Sequence, residues 1–292
     1  MRFLLIGGTK FIGPHVVRQL LDQGHAVTVY HRGQTEADLP DGVRHIRSPQ
    51  ASIPVLSFPD ELLAERHDVV IHMIAMGEAD THAAVQAFRG RVARLVVLSS
   101  GDVYRAYGRF TRIEPGPPEQ GLLHEECPLR SVLYPYRKQA ASPDDWTYHY
   151  EKILVEREVL GDTSLPATVL RLPKVYGPGG NADLATVHSM RSHPRWRWTH
   201  GYVENVAAGV VLAATHPAAI GRVYNVGEEQ TPTVAERLAG LPPSNVATDE
   251  SSAYDFAQDI AYDTQRIRTE LGYRELVSYE EGLRRTLGSL RQ

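Results

Sequence analysis

Apolar residues along this chain follow two alternating patterns through its first two-thirds. One consists of short, nearly unbroken runs at Phe3–Ile6, Ala26–Tyr30, Arg44–Ile46, Val69–Ile74, Leu95–Ser99 and Ala167–Leu170. Such runs, without clean polar alternation, suit strands covered on both faces of a parallel sheet. The other pattern places apolar residues three and four apart, as at Val16, Val17, Leu20 and Leu21, which is one face of a helix. It predicts helices over Pro14–Gln23, Asp60–Glu65, Asp80–Arg89 and Tyr148–Leu160. Strand and helix in alternation predict an α/β fold built on a doubly wound parallel sheet, with ligands at the carboxyl ends of the strands.

The pattern weakens beyond Pro178, where a helix over Val203–Thr215, a strand over Arg222–Val226 and helices over Thr264–Leu271 and Tyr279–Leu290 are expected. The organisation read from this is a core over residues 1–178 and a mainly C-terminal substrate lobe over 179–292, with some later elements returning to the core. Between them, Phe110–Asp145 is rich in Pro, Gly, Glu and Tyr and has little periodicity. Long loops of this kind tend to be functional, and this one follows the end of a strand, so it is expected to wall a substrate site.

The first connection carries the most specific signal. Phe3–Ile6 breaks into Gly7-Gly8-Thr9-Lys10-Phe11-Ile12-Gly13, and a helical pattern follows at Pro14. A glycine turn between a strand and a helix lets backbone approach a pyrophosphate, and the unpaired N–H groups of the helix start favour its charge. The core is therefore expected to be a Rossmann-like dinucleotide-binding unit, although the spacing departs from G-x-G-x-x-G.

Composition narrows the classes. Across 292 residues, 31 Lys and Arg stand against 35 Asp and Glu, for a net charge of −4, which argues against nucleic acid as the main partner. A single cysteine, Cys127, excludes an internal disulfide framework and suits a reducing cytoplasm. No apolar run has the length of a membrane span, and no metal-ligand spacing is evident. The expected partner is a small-molecule substrate, with a homodimer left open.

Two distant segments could supply chemistry. Ser99-Ser100 ends the strand Leu95–Ser99, and Tyr148-His-Tyr-Glu-Lys152 lies on an expected helix. Residues four apart share a helical face, so Tyr148 and Lys152 would point into one cleft. A neighbouring ammonium lowers a phenol's pKa, and a serine hydroxyl can hold the reacting oxygen. Tyr150, on another face of that helix, is expected to pack or to form a rim.

With these pieces in order, the chain resembles the extended and atypical short-chain dehydrogenases/reductases, the NAD-dependent epimerase/dehydratase group. The resemblance rests on the glycine turn at 7–13, Val70-Ile-His72-Met-Ile-Ala75, Ser99-Ser100-Gly-Asp-Val-Tyr104, Tyr148-x-x-x-Lys152, Arg171-Leu-Pro-Lys-Val-Tyr176-Gly177-Pro178 and Val203-Glu-Asn205. It implies Ser100, Tyr148 and Lys152 as the catalytic set. It also implies cofactor contacts at Gly7, Gly8, Thr9, Lys10, Phe11, Ile12, Gly13, Ala75, Ser99, Tyr148 and Lys152, with Leu172 and Pro173 against the nicotinamide. His72 is read as a packed structural histidine.

Departures from the family pattern shape the functional expectation. Members that prefer NAD commonly carry an acidic residue after the second strand, where this chain has His31 and Arg32. Arginine can pair with a 2′-phosphate, so with Lys10 the reading favours NADP over NAD. The 4,6-dehydratases carry Asp-Glu after the catalytic serine or threonine, but here Gly101-Asp102 follows, which disfavours dehydration. Lys174 replaces an asparagine common near the substrate diphosphate. Asp102, Lys174, Arg197 and His200 are the candidate substrate contacts. The resulting expectation is an NAD(P)-dependent epimerase or reductase acting at a carbinol carbon of a sugar-nucleotide-like or other small hydroxylated substrate. The alternative is a dinucleotide-binding regulatory or RNA-associated member without turnover.

Overall fold

The computed structural model describes residues 1–35, 39–48, 53–182, 184–249 and 253–290. Seven parallel strands form its main sheet: β1 (Arg2–Ile6), β2 (Ala26–His31), β3 (Arg44–Arg47), β4 (Val69–His72), β5 (Arg94–Ser100), β6 (Ala167–Leu172) and β9 (Val223–Asn225). Their order is β3-β2-β1-β4-β5-β6-β9, so the chain winds outward from β1 in both directions. The strand order reverses beside β1, between β1 and β4, and a doubly wound sheet opens a ligand crevice at such a point. The register aligns Ile6 with both Tyr30 and His72, which brings three strand ends to one edge.

Helices cover both faces. One face carries α1 (Ile12–Asp22) packed against α7 (Val203–Thr215). Val16, Val17 and Leu20 of α1 are fully buried with Phe3 and Leu5. The other face carries α2 (Asp60–Ala64), α3 (Glu78–Phe88) and α5 (Lys152–Gly161), where Leu4, Ile6, Val70 and Val97 meet Ala84, Val85 and Val155. Alternate residues of β1 thus serve opposite cores, which is why the run Phe3–Ile6 has no polar interruption.

A smaller lobe lies over the carboxyl edge. It holds α4 (Arg105–Phe110), a two-stranded parallel sheet of β7 (Lys174–Tyr176) and β8 (His200–Tyr202), α6 (Ala185–Ser189) and α8 (Val234–Ala239). Its core is aromatic: Phe110 stacks on Trp196 at 4.8 Å and on Tyr254 at 4.7 Å. None of these short elements shows in the hydrophobic pattern. The helices α9 (Gln265–Leu271) and α10 (Tyr279–Ser289) complete the chain. β9 and α7 belong to the main sheet layer, so the chain after residue 178 contributes to both parts.

The largest difference from the sequence pattern lies before α5. The helix expected from Tyr148 begins only at Lys152, and its cause is a buried ion pair. Glu151 is the N-cap, its carboxylate accepting from Ile153 N–H at 2.9 Å. The same carboxylate meets Arg130 at 3.0 Å with both side chains fully buried, and accepts from Tyr134 N–H at 2.5 Å. Glu151 N–H is meanwhile bonded to Met76 C=O at 2.8 Å. A helix continued backward through Glu151 would orphan these buried partners, at a cost propensity cannot offset.

Candidate active site

The glycine turn forms the floor of a cleft of about 780 Å³ at the carboxyl edge, lined by Gly7 through Ile12, by Tyr30 through Thr35 and by the ends of β4 and β5. Gly7 and Gly8 have φ of 85° and 97°, a region that favours glycine. At Gly13 a side chain has no room, because a Cβ would stand 2.2 Å from Gly8 O. The N-cap of α1, Phe11, provides no side-chain cap. No side chain therefore blocks the helix start, as a phosphate cradle requires, although Gly13 N–H is bonded to Lys10 C=O at 3.0 Å. These features fit a dinucleotide: glycines at both ends of the turn and a helix start with no side-chain cap.

At the far side of the turn His31 is committed to protein contacts. Its Nε2 lies 3.0 Å from His45 Nδ1 and its Nδ1 accepts from Gly33 N–H at 3.2 Å. Burial, followed by the neighbouring His45 and Arg47, lowers its pKa, so the ring is neutral. Arg32 lines both this cleft and a neighbouring surface hollow shared with Asp144, Asp145 and Trp146.

The cleft continues past Met73, Ile74 and Met76 to Ser99, Ser100, Tyr150, Lys152, Leu172 and Pro173. Beneath it, Ala75 is fully buried and its carbonyl is bonded by Lys152 Nζ. Lys152 Nζ also donates to Leu98 C=O at 2.9 Å. Desolvation lowers its pKa, opposed by Asp102, Asp80 and Glu156. The Ser99 hydroxyl is turned inward, donating to Glu156 at 2.6 Å, and Glu156 pairs with buried Arg171 at 2.7 Å. Ser99 therefore meets the cleft without its hydroxyl, whereas Ser100 keeps its own at the strand end, where it accepts from Asp102 N–H at 3.3 Å. His72, fully buried without a hydrogen-bond partner, has its pKa lowered to about 3, chiefly by desolvation, in keeping with a packed histidine.

A second cavity of about 340 Å³ opens from the same strand end. Six aromatic residues wall it: Tyr107, Tyr136, Trp146, Tyr150, Trp198 and Tyr262. Ser100, Gly101, Asp102, Leu172, Pro173 and Lys174 complete it, with Lys174 Nζ 5.4 Å from the Trp198 ring centre. Asp102 is buried, and its Oδ2 accepts from Tyr150 at 2.9 Å and from Tyr136 at 3.0 Å. Desolvation raises its pKa, against the opposing charge of Arg130.

Several sequence-based placements change. Tyr148 lies in a 3-10 turn and lines none of these cavities; its ring faces the Arg137 guanidinium at 4.7 Å, and its carbonyl accepts from Arg137 Nε at 3.0 Å. Tyr150, expected to be packing or rim, stands inside, with Lys152 Nζ 5.4 Å from its ring centre. Arg197 is exposed, and its N–H bonds Asp259 at 3.0 Å outside the cavities. His200 is interior to the small lobe, bonded to Trp198 C=O at 2.7 Å, with its pKa well lowered by burial and then by Arg237. The resemblance suggested both as substrate contacts, but neither lines the cleft or the aromatic cavity. The residues missed, Tyr107, Tyr136, Trp146, Trp198 and Tyr262, come from four separate stretches of the chain. Only the aromatic richness of Phe110–Asp145 hinted at Tyr136.

Among the described residues no group of His, Cys, Asp and Glu could hold a metal, and no helix is long and apolar enough to cross a membrane. Comparison with known proteins places residues 3–227 on the model of the NAD dependent epimerase/dehydratase family. The chain is 29% identical to a 2′-dehydrokanamycin reductase of Streptomyces kanamyceticus over 63% of its own length, but spans only 45% of that relative. It is 24% identical to a 2-alkyl-3-oxoalkanoate reductase of Stenotrophomonas maltophilia, covering 99% of each chain. The UDP-glucose 4-epimerase of Thermus thermophilus, solved with NAD, superimposes with a TM-score of 0.71 at 22% identity, covering 100% of this chain and 99% of that one. That likeness speaks to fold.

Proposed function

Since the chain belongs to the NAD dependent epimerase/dehydratase family, we propose that it is an enzyme that moves hydride between a nicotinamide dinucleotide and a carbon bearing a hydroxyl or carbonyl group. The observation that carries this reading is the continuity of the two cavities. The glycine cradle leads along one strand edge to Leu172 and Pro173, and these residues also line the aromatic cavity beyond. A bound nicotinamide would supply a hydride donor or acceptor. The protein's part is then to hold phosphates on Gly7–Gly13, seat a flat ring against Leu172 and Pro173, and present the substrate oxygen to Ser100. Lys152, fixed on the carbonyls of Ala75 and Leu98, adds positive charge beside Tyr150 that would favour oxyanion character nearby.

For the cofactor we favour NADP. Arg32 faces the adenosine end, no carboxylate follows β2 at positions 31 and 32, and Lys10 is exposed on the turn. For the substrate, the aromatic cavity favours a compact hydroxylated ring, whose C–H faces would lie on tyrosine and tryptophan. Lys174 is its one cationic wall residue, which weighs against a diphosphate-linked sugar. Gly101-Asp102 after Ser100 weighs against dehydration, so epimerisation or ketone reduction remains, and these share the same machinery. A single cysteine supports a reducing cytoplasm as the setting.

Nicotinamide fluorescence titrations of the full chain with NADPH and NADH test the reading. Saturable binding at micromolar concentration, tighter for NADPH, is the expected result. No binding of either would overturn it.

A further inference from the structure

The spacing of Tyr148 and Lys152 assigns the proton step to Tyr148, yet that side chain lies outside both cavities, while another tyrosine occupies the junction. We propose that Tyr150 is the proton donor and acceptor for the substrate oxygen, and that Asp102 and Tyr136 connect it to solvent. This rests on the dinucleotide reading above.

Three observations carry the assignment. Tyr150 lines the cofactor cleft and the aromatic cavity alike, so its hydroxyl is where an oxygen on the reacting carbon would meet a proton. Its neighbours are those an acid/base needs. Ser100 lines the same junction of cleft and cavity, and Lys152 Nζ stands 5.4 Å from the ring centre. Third, its hydroxyl does not end in a sealed interior. It donates to Asp102 Oδ2 at 2.9 Å, which also accepts from Tyr136 at 3.0 Å, and the Tyr136 hydroxyl lies 3.2 Å from that of Tyr107. Tyr136 and Tyr107 are half-buried, so the carboxyl bridges a buried phenol to partly solvated ones. Asp102 is fixed by Arg130 Nε on its main-chain carbonyl, and the Arg130–Glu151 pair also sets the start of α5.

The proton ledger closes. In the reducing direction the carbonyl carbon gains hydride, its π pair moves to oxygen, and that oxygen takes the Tyr150 proton. The Asp102 carboxylate takes the Tyr136 proton and passes it to the Tyr150 phenolate, and water then reprotonates Tyr136. Oxidation runs the same steps in reverse. The groups facing Tyr150 are Ser100 on β5, Asp102 after it, Tyr107 on α4, Tyr136 in the wall segment, and Lys152 on α5. Burial and the Asp102 charge hold the Tyr150 phenol far above its ordinary pKa, which keeps it protonated as a donor in the resting protein.

The test uses full-length protein carrying 3-fluorotyrosine, its 19F resonances assigned with Tyr150→Phe, Tyr148→Phe and Tyr136→Phe. NADPH is the probe, its binding followed separately by fluorescence. On saturation the Tyr150 resonance should shift by more than its linewidth and the Tyr148 resonance should not. Asp102→Asn should move the Tyr150 signal and its titration to lower pH, with no change at Tyr148. A Tyr148 response to NADPH equal to or larger than that of Tyr150, or a Tyr150 titration indifferent to Asp102→Asn, overturns the proposal. Failure of NADPH to bind overturns instead the reading on which it rests. Tyr150→Phe removes one oxygen and keeps the ring, and an unchanged thermal midpoint would confirm that its effects are not those of misfolding.

Discussion

The glycine cradle and the aromatic wall are adjacent in space but arise in opposite ways. The cradle is one continuous segment, residues 7–13, whose geometry follows from its own residue types: positive φ at Gly7 and Gly8, and no room for a Cβ at Gly13. The wall is drawn from α4, from the segment before α5, from Trp198 ahead of β8 and from residues near 262. It stands because buried charges hold it, with Arg130 reaching the carbonyl of Asp102, the carbonyl of Val132 and the carboxylate of Glu151. Local chemistry makes a site for a common cofactor. Long-range polar satisfaction makes the surface that distinguishes one substrate from another.

The sharpest way to break this comparison is at the wall's reacting end. Tyr150→Phe should lower kcat for any carbonyl probe reduced at the expense of NADPH by about 10²–10⁴-fold, with the KM for NADPH little changed. Tyr148→Phe should stay within a few-fold. Following absorbance at 340 nm separates the two, and the reverse ranking would return the proton step to the residue that spacing suggested.

That ranking shows where the sequence was legible. Strand and helix periodicity located the seven sheet strands and the doubly wound class, because alternate residues of buried strands serve two cores. The Ser99-Ser100 strand end was legible for the same reason. The start of α5 was not, because the four-residue spacing of Tyr148 and Lys152 assumes a helix that the buried Glu151 cap forbids. His200 and Arg197, suggested by resemblance, stand apart from the cleft because burial in the small lobe holds one and a surface bond to Asp259 holds the other. The aromatic wall was hidden because four stretches with no shared period converge on it.

The support of the wall can be tested next. Glu151→Ala leaves a fully buried guanidinium without its carboxylate, and removing one partner of such a pair costs about 3–5 kcal/mol. Urea unfolding should register that loss. The aromatic cavity should open in consequence, seen as increased exposure of Trp146 and Trp198 to an acrylamide quencher. A cost below about 1 kcal/mol would mean the pair does not organise this region.

Acid sensitivity gives a smaller effect beside the cradle. His72 has a folded pKa of about 3 against 6.5 for the unmodified side chain. The unfolded chain therefore binds a proton that the folded chain refuses, and this contribution to stability is intact above pH 6.5 and lost as pH falls towards 3. By pH 5 the loss from this one residue is about 2 kcal/mol. His72→Leu should flatten the decline in urea midpoint between pH 7 and pH 5, and an unaltered slope would remove His72 as its cause.

The smallest expected effect concerns cofactor choice at the cradle's outer end. Arg32→Ala should weaken NADPH about tenfold, roughly the value of one charge-assisted hydrogen bond, and NADH less than twofold. Equal weakening of both would mean that Arg32 stacks on the adenine rather than meeting a 2′-phosphate.

The most direct measurement is the structure of the full chain crystallised with NADP. The account predicts a dinucleotide with its pyrophosphate over Gly7–Gly13, its nicotinamide against Leu172 and Pro173, and the Tyr150 hydroxyl as the tyrosine oxygen nearest the reacting face. A dinucleotide seated elsewhere, or a Tyr148 hydroxyl in that position, would contradict it.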